Sequence, residues 1–304
     1  MNEETLQSYL KAGKAAAKAR ELGRKLVRPG GSLLDLATLC EQEVLRHGAE
    51  LSFPINISIN DVAAHYSPGM GDKSVFPTQG LVKLDVGAHV NGYVADTACT
   101  VNIGGDSGLF DDLCNAAEDG LRAAIKAFKP NIDVKQIGAE IYKEITKYKG
   151  VVPISNLGGH QLQCNNLHAG VFVPNTPMAG DSYKLKEGEA FAIEPFSTNG
   201  RGYIHSGKDA YIYSVIPGSA AKRLGRIERT QYLQFKKKFG SFPFSPRWID
   251  FLPEDKISTA LKQYVKKKVI NAYPVFLERK GAFVAQAEHT VLVTKDGCIV
   301  TTDQ

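Results

Sequence analysis

A chain of 304 residues, 43% hydrophobic and 23% charged, can bury one large core or two and has the composition of a globular protein. It holds no run of about 18 apolar residues, which excludes a membrane-spanning helix. Its five cysteines (Cys40, Cys99, Cys114, Cys164, Cys298) are odd in number, scattered and form no Cys-x-x-Cys pair, which suits a reducing cytoplasm better than a disulfide framework and excludes a Cys-type zinc site. The first residues, MNEETLQSYLKAGKAAAKAR, are acidic early and lack an apolar core segment, so no secretory leader is expected. The net charge of +5 is uneven: residues 214–271 carry 13 Lys/Arg against 4 Asp/Glu, and the remainder 24 against 28.

In chain order, helical periodicity over about 4–27 stops at Pro29–Gly30–Gly31, and Ser32 caps a second helix to about Arg46, closed by Gly48. Phe53–Asn60 alternates as a strand. Leu81–Val90 and Tyr93–Asn102 form a hairpin around Asn91–Gly92, a dipeptide suited to a tight turn. Helices follow at about 113–128 and, capped by Asp133, to about Tyr148, with Gly150 closing the second. Lys25, Pro29 and Gly48 recur as Lys126, Pro130 and Gly150, which predicts a duplicated helix–helix–strand unit with a site at the seam. Strand character is expected at 187–196, 209–216, 282–293 and 298–301, and helices at about 219–240 and 254–270. Residues 214–271 therefore read as a basic helical insertion between two strands, with the Pro-rich, aromatic link SFPFSPRW inside it.

The turn at Asn91–Gly92 pairs Gly87 with Asp96 and Asp85 with Ala98, so the two aspartates project from one face. Facing carboxylates repel unless a proton or cation lies between them; one of them could equally be a strand end. His160 follows a turn with paired glycines, and His168 stands eight residues on; each alone suits a structural or solvated loop histidine. Glu194 in AFAIEPF and Glu288 in AQAEHTVLV sit among apolar residues, where an ionised carboxylate is costly unless paired or bound to metal, although either could face water at a sheet edge. Together Asp85, Asp96, Glu194 and Glu288 with a neutral His160 balance two divalent cations. Such an oxygen-rich set suits Mn, Co, Fe or Zn, and a metal pair about 3.5–4 Å apart supports hydrolysis.

The segments FPINISINDVAAHYSPGMGD, VKLDVGAHVNGYVADTACTV, ISNLGGHQLQCNNLHAG, EGEAFAIEPFSTNGRG and GAFVAQAEHTVLVT, in this order, closely resemble type 2 methionine aminopeptidases, within the pita-bread metallohydrolases. The resemblance implies an α+β pita-bread fold: pseudo-twofold halves around a curved antiparallel sheet in 1–213 and 272–304, and a winged-helix-like helical subdomain in 214–271. It implies Asp85, Asp96, His160, Glu194 and Glu288 as ligands of two divalent metals, with Asp96 and Glu288 bridging and Glu194 as general base. His168 and His65 would contact the scissile peptide, and Phe53, Leu167, Phe196 and Tyr273 would form the methionine pocket, with core packing the other reading of those four. His47, His89, His205 and His289 fall outside the pattern. Ala287 departs from it, standing where relatives commonly carry an aromatic residue. The chain begins at the first helix, without the charged extension of eukaryotic relatives, as an archaeal-type enzyme would.

The implied activity is removal of an initiator methionine from nascent polypeptide N-termini when the second residue is small, by a cytoplasmic monomer. The basic 214–271 segment would touch the ribosome or serve only as a solvated helical face. The competing readings are a proline dipeptidase or Xaa-Pro aminopeptidase of the same fold, which differs around the second His and last Glu, and a non-catalytic ribosome- or RNA-binding relative, which would lack ligands.

Overall fold

The computed structural model describes residues 1–104, 107–178, 182–218, 222 and 224–303. The first half opens with helices α1 (Glu3–Leu26) and α2 (Leu33–Arg46). Ser32 Oγ accepts from Asp35 N at 3.1 Å, capping α2 as its sequence predicts. The short strands β1 (Glu50–Leu51), β2 (Asn56–Ile59) and β3 (Val62–Ala64) precede the long hairpin of β4 (Gly80–Val90) and β5 (Tyr93–Ile103). Asn91 and Gly92 take φ of 53° and 82°, the turn expected of this dipeptide. Alanines 12, 15, 16 and 19 of α1 pack with Leu36, Cys40 and Val44 of α2 against Ile57, Val82, Leu84 and Val86 of the sheet.

The second half repeats this plan. Helices α3 (Ser107–Ala127) and α4 (Val134–Ile145) are followed by β6 (Val152–Pro153), β7 (Gly159–Leu162), β8 (Phe172–Val173), β9 (Ala190–Ile193) and β10 (Phe196–Thr198). Helix α3 starts before the expected Leu113, with Phe110 already in the core, and α4 ends before Tyr148 in a turn from Thr146. The link between the paired helices is alike in both halves. Gly30 and Asn131 both have positive φ, and their N–H groups donate to Phe76 O at 3.0 Å and Leu185 O at 2.8 Å. Leu33 N and Val134 N then bond Ser74 O and Tyr183 O. Helices α3 and α4 cover a second core of Leu113, Ile137, Ile141, Phe191, Ile193 and Val291.

Strand β11 (His205–Val215) leads to α5 (Arg226–Phe239), a 3-10 turn at Pro246–Trp248 and α6 (Glu254–Lys266), and the chain returns in β12 (Ile270–Leu277). Val215 pairs with Ile270 and Ser214 with Asn271, so the segment leaves and re-enters the sheet at adjacent positions. Tyr232, Phe235, Phe244, Ile257, Leu261 and Tyr264 give it a core of its own. The helix expected from Ser219 begins at Arg226, where Gly225 N donates to Glu228 Oε2 at 2.8 Å; residues 219–221 and 223 lie outside the described residues. Strands β13 (Val284–Gln286), β14 (His289–Val293) and β15 (Cys298–Val300) complete the chain. Among the described residues all strand pairs are antiparallel and form four sheets, and an isolated bridge between Ala98 and Glu288 joins the β4–β5 hairpin to the last strands. None of the described helices is long and apolar enough to cross a membrane.

Candidate metal centre and substrate cavity

The hairpin register is Val90 with Tyr93, Gly87 with Asp96 and Asp85 with Ala98. Asp85 and Asp96 therefore lie diagonally on one face, as the turn predicts. The hairpin is joined to the last strands: Glu288 N donates to Ala98 O at 3.0 Å and Ala98 N to Glu288 O at 3.3 Å. Thr290 Oγ1 accepts from Asp96 N at 2.7 Å and donates to Asp96 O at 2.8 Å. These bonds set Glu288 beside the two aspartates.

The remaining donors come from the second half. His160 lies within β7 rather than in a loop, paired with Ala192 of β9. The sequence places Glu194 and Glu288 inside strands, yet both occupy breaks, between β9 and β10 and between β13 and β14. Pro195 accounts for the first break, because it removes a ladder donor. At both breaks the chain crosses from one sheet to the next, and the glutamate turns into the seam between the halves.

There, Asp85, Asp96, His160, Glu194 and Glu288 line one cavity of about 370 Å³. His160 Nε2 stands 3.6 Å from both Asp96 Oδ2 and Glu194 Oε1, and donors of Asp96, His160 and Glu288 lie within 4.8 Å of one another. Asp85 Oδ1, Asp96 Oδ1, His160 Nδ1 and Glu288 Oε1 are buried and have no hydrogen-bond partner. Unpartnered buried polar atoms are rare and costly, and this set of hard oxygens with one imidazole fits divalent cations.

Electrostatics agree. Burial pushes the Asp85 carboxyl up to about 7. Burial and the carboxylates of Asp85 and Glu194 raise Asp96 well above the usual range; burial and Asp85 do the same to Glu194. Burial and the other three carboxylates raise Glu288. Burial, then the neighbouring His168, holds His160 neutral, the form that ligates metal. Burial and mutual repulsion thus favour the protonated forms of these acids, and bound cations would favour their release of protons.

His65 and His168 line the same cavity. His65 has a φ of 67°, Nδ1 lies 3.1 Å from Pro274 O, and burial lowers it to about 4. Its Nδ1–H therefore donates to the carbonyl and Nε2 carries the lone pair. The His168 and His160 ring centroids are 4.4 Å apart. Of the four expected pocket residues, Phe53, Leu167 and Tyr273 line the cavity. Phe196 is not among its lining residues: it is fully buried and packs with Ala63, Ile154, Ile204 and Val284, the core alternative. Gly87 makes room for Phe53, since a Cβ there would stand 2.1 Å from the ring.

Sequence reading missed Phe172, Ile212, Pro243 and Phe276, which with Ala64 and Leu157 complete the apolar wall, and Gln286. Gln286 Nε2 donates to Glu288 Oε2 at 3.2 Å and Glu194 Oε2 at 3.4 Å. Its place two residues before Glu288 was the available signal.

Residues 7–295 match the profile of metallopeptidase family M24. A methionine aminopeptidase of Pyrococcus horikoshii is 40% identical over 301 residues, 98% of this chain and 99% of that protein. Among solved structures, a thermophilic Arx1 superposes with a TM-score of 0.84 at 18% identity, covering 99% of this chain and 91% of that one. A methionine aminopeptidase of Thermotoga maritima gives a TM-score of 0.72 at 21% identity, covering 100% and 98%. These similarities do not favour the proline-directed or non-catalytic readings.

Proposed function

The chain belongs to the methionine aminopeptidases of metallopeptidase family M24, and from that membership we propose how its seam works: Asp85, Asp96, His160, Glu194 and Glu288 hold two divalent ions beside a pocket for the substrate's first side chain. The observation that carries this reading is the convergence of buried, unpartnered donor atoms on one cavity. Asp85 would serve one ion, and Asp96 and Glu288 both. Four carboxylates and a neutral imidazole balance two divalent charges, and Mn, Co, Fe and Zn all suit the donors.

Bound ions of this kind supply an acidified water and a Lewis acid for the scissile carbonyl. Glu194, oriented by Gln286, receives the proton of the attacking water at a carboxylate oxygen. His168 donates a hydrogen bond to the carbonyl oxygen as it gains charge. His65, neutral with its Nδ1–H committed to Pro274 O, accepts at Nε2 from a substrate N–H near the scissile bond. Phe53, Leu167 and Tyr273, with Phe276 and Pro243, hold the methionine side chain. The substrates are nascent polypeptide N-termini with a small second residue, processed in the cytoplasm by a monomer. Residues 214–271 act as an inserted subdomain of the type 2 enzymes.

A ribosome contact through that insertion is a further part of the reading. Lys238 is paired with Asp250 at 2.7 Å and Lys267 with Glu228, so Lys236, Lys237 and Lys266 are the residues to neutralise. Loss of co-sedimentation with ribosomes is expected, and unchanged co-sedimentation removes the contact.

Hydrolysis of Met-Ala-Ser and Met-Pro peptides, against Ala-Pro and other Xaa-Pro dipeptides, tests the specificity. Turnover of the methionine peptides is expected, and turnover of proline dipeptides alone overturns the reading.

A further inference from the structure

The STNGRG segment, Ser197–Gly202, extends beyond the metal centre, and its last residues have no part in the chemistry above. The buried carboxylate of Glu278 organises them. Oε1 accepts from Gly202 N at 2.9 Å and from Arg201 N, and Oε2 accepts from Arg279 N. Asn199 Oδ1 accepts from Phe283 N at 2.8 Å, and Thr198 Oγ1 donates to Phe283 O at 2.8 Å. Two loops distant in sequence are thereby fastened into one rigid frame.

That frame presents a second cavity, of about 290 Å³, lined by Arg201, Tyr203, His205 and Arg279. Neither guanidinium makes an ion pair among the described residues, and Tyr203 is 61% exposed. The Glu278 carboxylate beneath is committed to three backbone N–H groups. His205 pairs with Leu277, whereas the next residue back, Phe276, lines the substrate cavity; alternation along β12 therefore puts this cleft on the opposite face of the sheet.

We propose that this cleft binds the phosphate of a nucleotide, with the base stacked on Tyr203. Two arginines lining one cleft can bind the oxygens of a phosphate, and an exposed aromatic residue lining the same cleft is what base recognition uses. The phosphate can belong to a free nucleotide or to a single-stranded RNA, and the two sources are separable by experiment.

The full chain, metal-loaded, is titrated with a fluorescent oligouridylate, and UMP and inorganic phosphate are used as competitors. Arg201→Gln with Arg279→Gln weakens binding at least about tenfold and lowers the slope of log affinity against log salt by about 0.7 for each lost phosphate contact. Tyr203→Ala weakens binding without changing that slope. Hydrolysis of methionine peptides is unchanged in both variants, which shows them folded. Neutralising Lys236 and Lys237 leaves the oligonucleotide affinity unchanged. UMP binding as tightly as the oligomer identifies a free nucleotide, and tighter binding of the oligomer identifies a strand. Wild-type affinity in the double Arg variant, or in Tyr203→Ala, overturns the proposal.

Discussion

Glu41 of α2 and Arg247 of the inserted segment meet through two bonds, Arg247 Nη1 to Oε2 at 2.9 Å and Nη2 to Oε1 at 2.7 Å, with both side chains about nine-tenths buried. Trp248 Nε1 adds a third donor at 3.1 Å, and Arg247 Nε reaches Pro68 O at 2.7 Å. At the other end of the same link, Phe242 stacks on His89 with ring centroids 4.2 Å apart. Pro243, between these anchors, forms part of the substrate cavity wall. Glu41→Gln leaves a buried guanidinium without its counter-charge, which costs about 3–5 kcal/mol. Denaturant unfolding will show that loss, and peptide kinetics a raised KM with kcat little changed. Unchanged KM in the folded variant separates this pair from the cavity wall.

Glu194 is the proposed proton acceptor. Glu194→Gln keeps the shape and the Gln286 neighbourhood but removes the base, so kcat for Met-Ala-Ser should fall by about 10²–10⁴-fold. Wild-type kcat in this variant would remove Glu194 from the proton transfer.

Gly87 has no room for a side chain: a Cβ would stand 2.1 Å from the Phe53 ring and 2.3 Å from Ser52 Oγ. Gly87→Ala therefore displaces Phe53 from the cavity wall at a cost of about 1–3 kcal/mol. Lower stability together with weaker discrimination between methionine and alanine at the first substrate position is the expected pair of results. An intact preference would show that Phe53 does not shape the pocket.

Protonation of the centre gives a pH signature. The folded-state pKa of Asp85 is about 7, and those of Asp96, Glu194 and Glu288 lie well above the usual carboxylate range. The metal-free folded chain thus keeps protons that the unfolded chain has lost, and its stability falls as pH rises from about 4 through 7. Metal binding reverses this by displacing protons. Thermal unfolding of chelated and metal-loaded protein should show a larger stabilisation by Mn²⁺ at about pH 7.5 than at about pH 5. Equal stabilisation at both would contradict the raised carboxylates.

Much of this centre was legible in the sequence because local chemistry dictates it. Asn91–Gly92 fixes the hairpin register, and a shift of one residue would turn an aspartate away. Ser32 and Asp133 announce their helices by capping, and the recurrence of Pro29 and Gly48 as Pro130 and Gly150 reveals the duplicated halves. What was not legible depends on how sheets pass one another. Glu194 and Glu288 sit at strand breaks that apolar runs conceal, and nothing in AFAIEPF tells which way Phe196 points. Pro243 joins the cavity from the insertion, and Ile212 and Phe276 from the paired strands β11 and β12, so their places follow from the tertiary arrangement and not from local pattern. Gln286 was missed as well, although its place two residues before Glu288 was a usable signal.

The central claim is that five convergent donors make hydrolysis of methionine peptides depend on divalent metal. Its most direct test is the rate of Met-Ala-Ser cleavage by chelated protein as Mn²⁺ or Co²⁺ is added back. Activity should be absent after chelation, rise with bound metal, and be lost in His160→Ala at the same metal concentrations. Undiminished cleavage by the chelated protein would contradict the account.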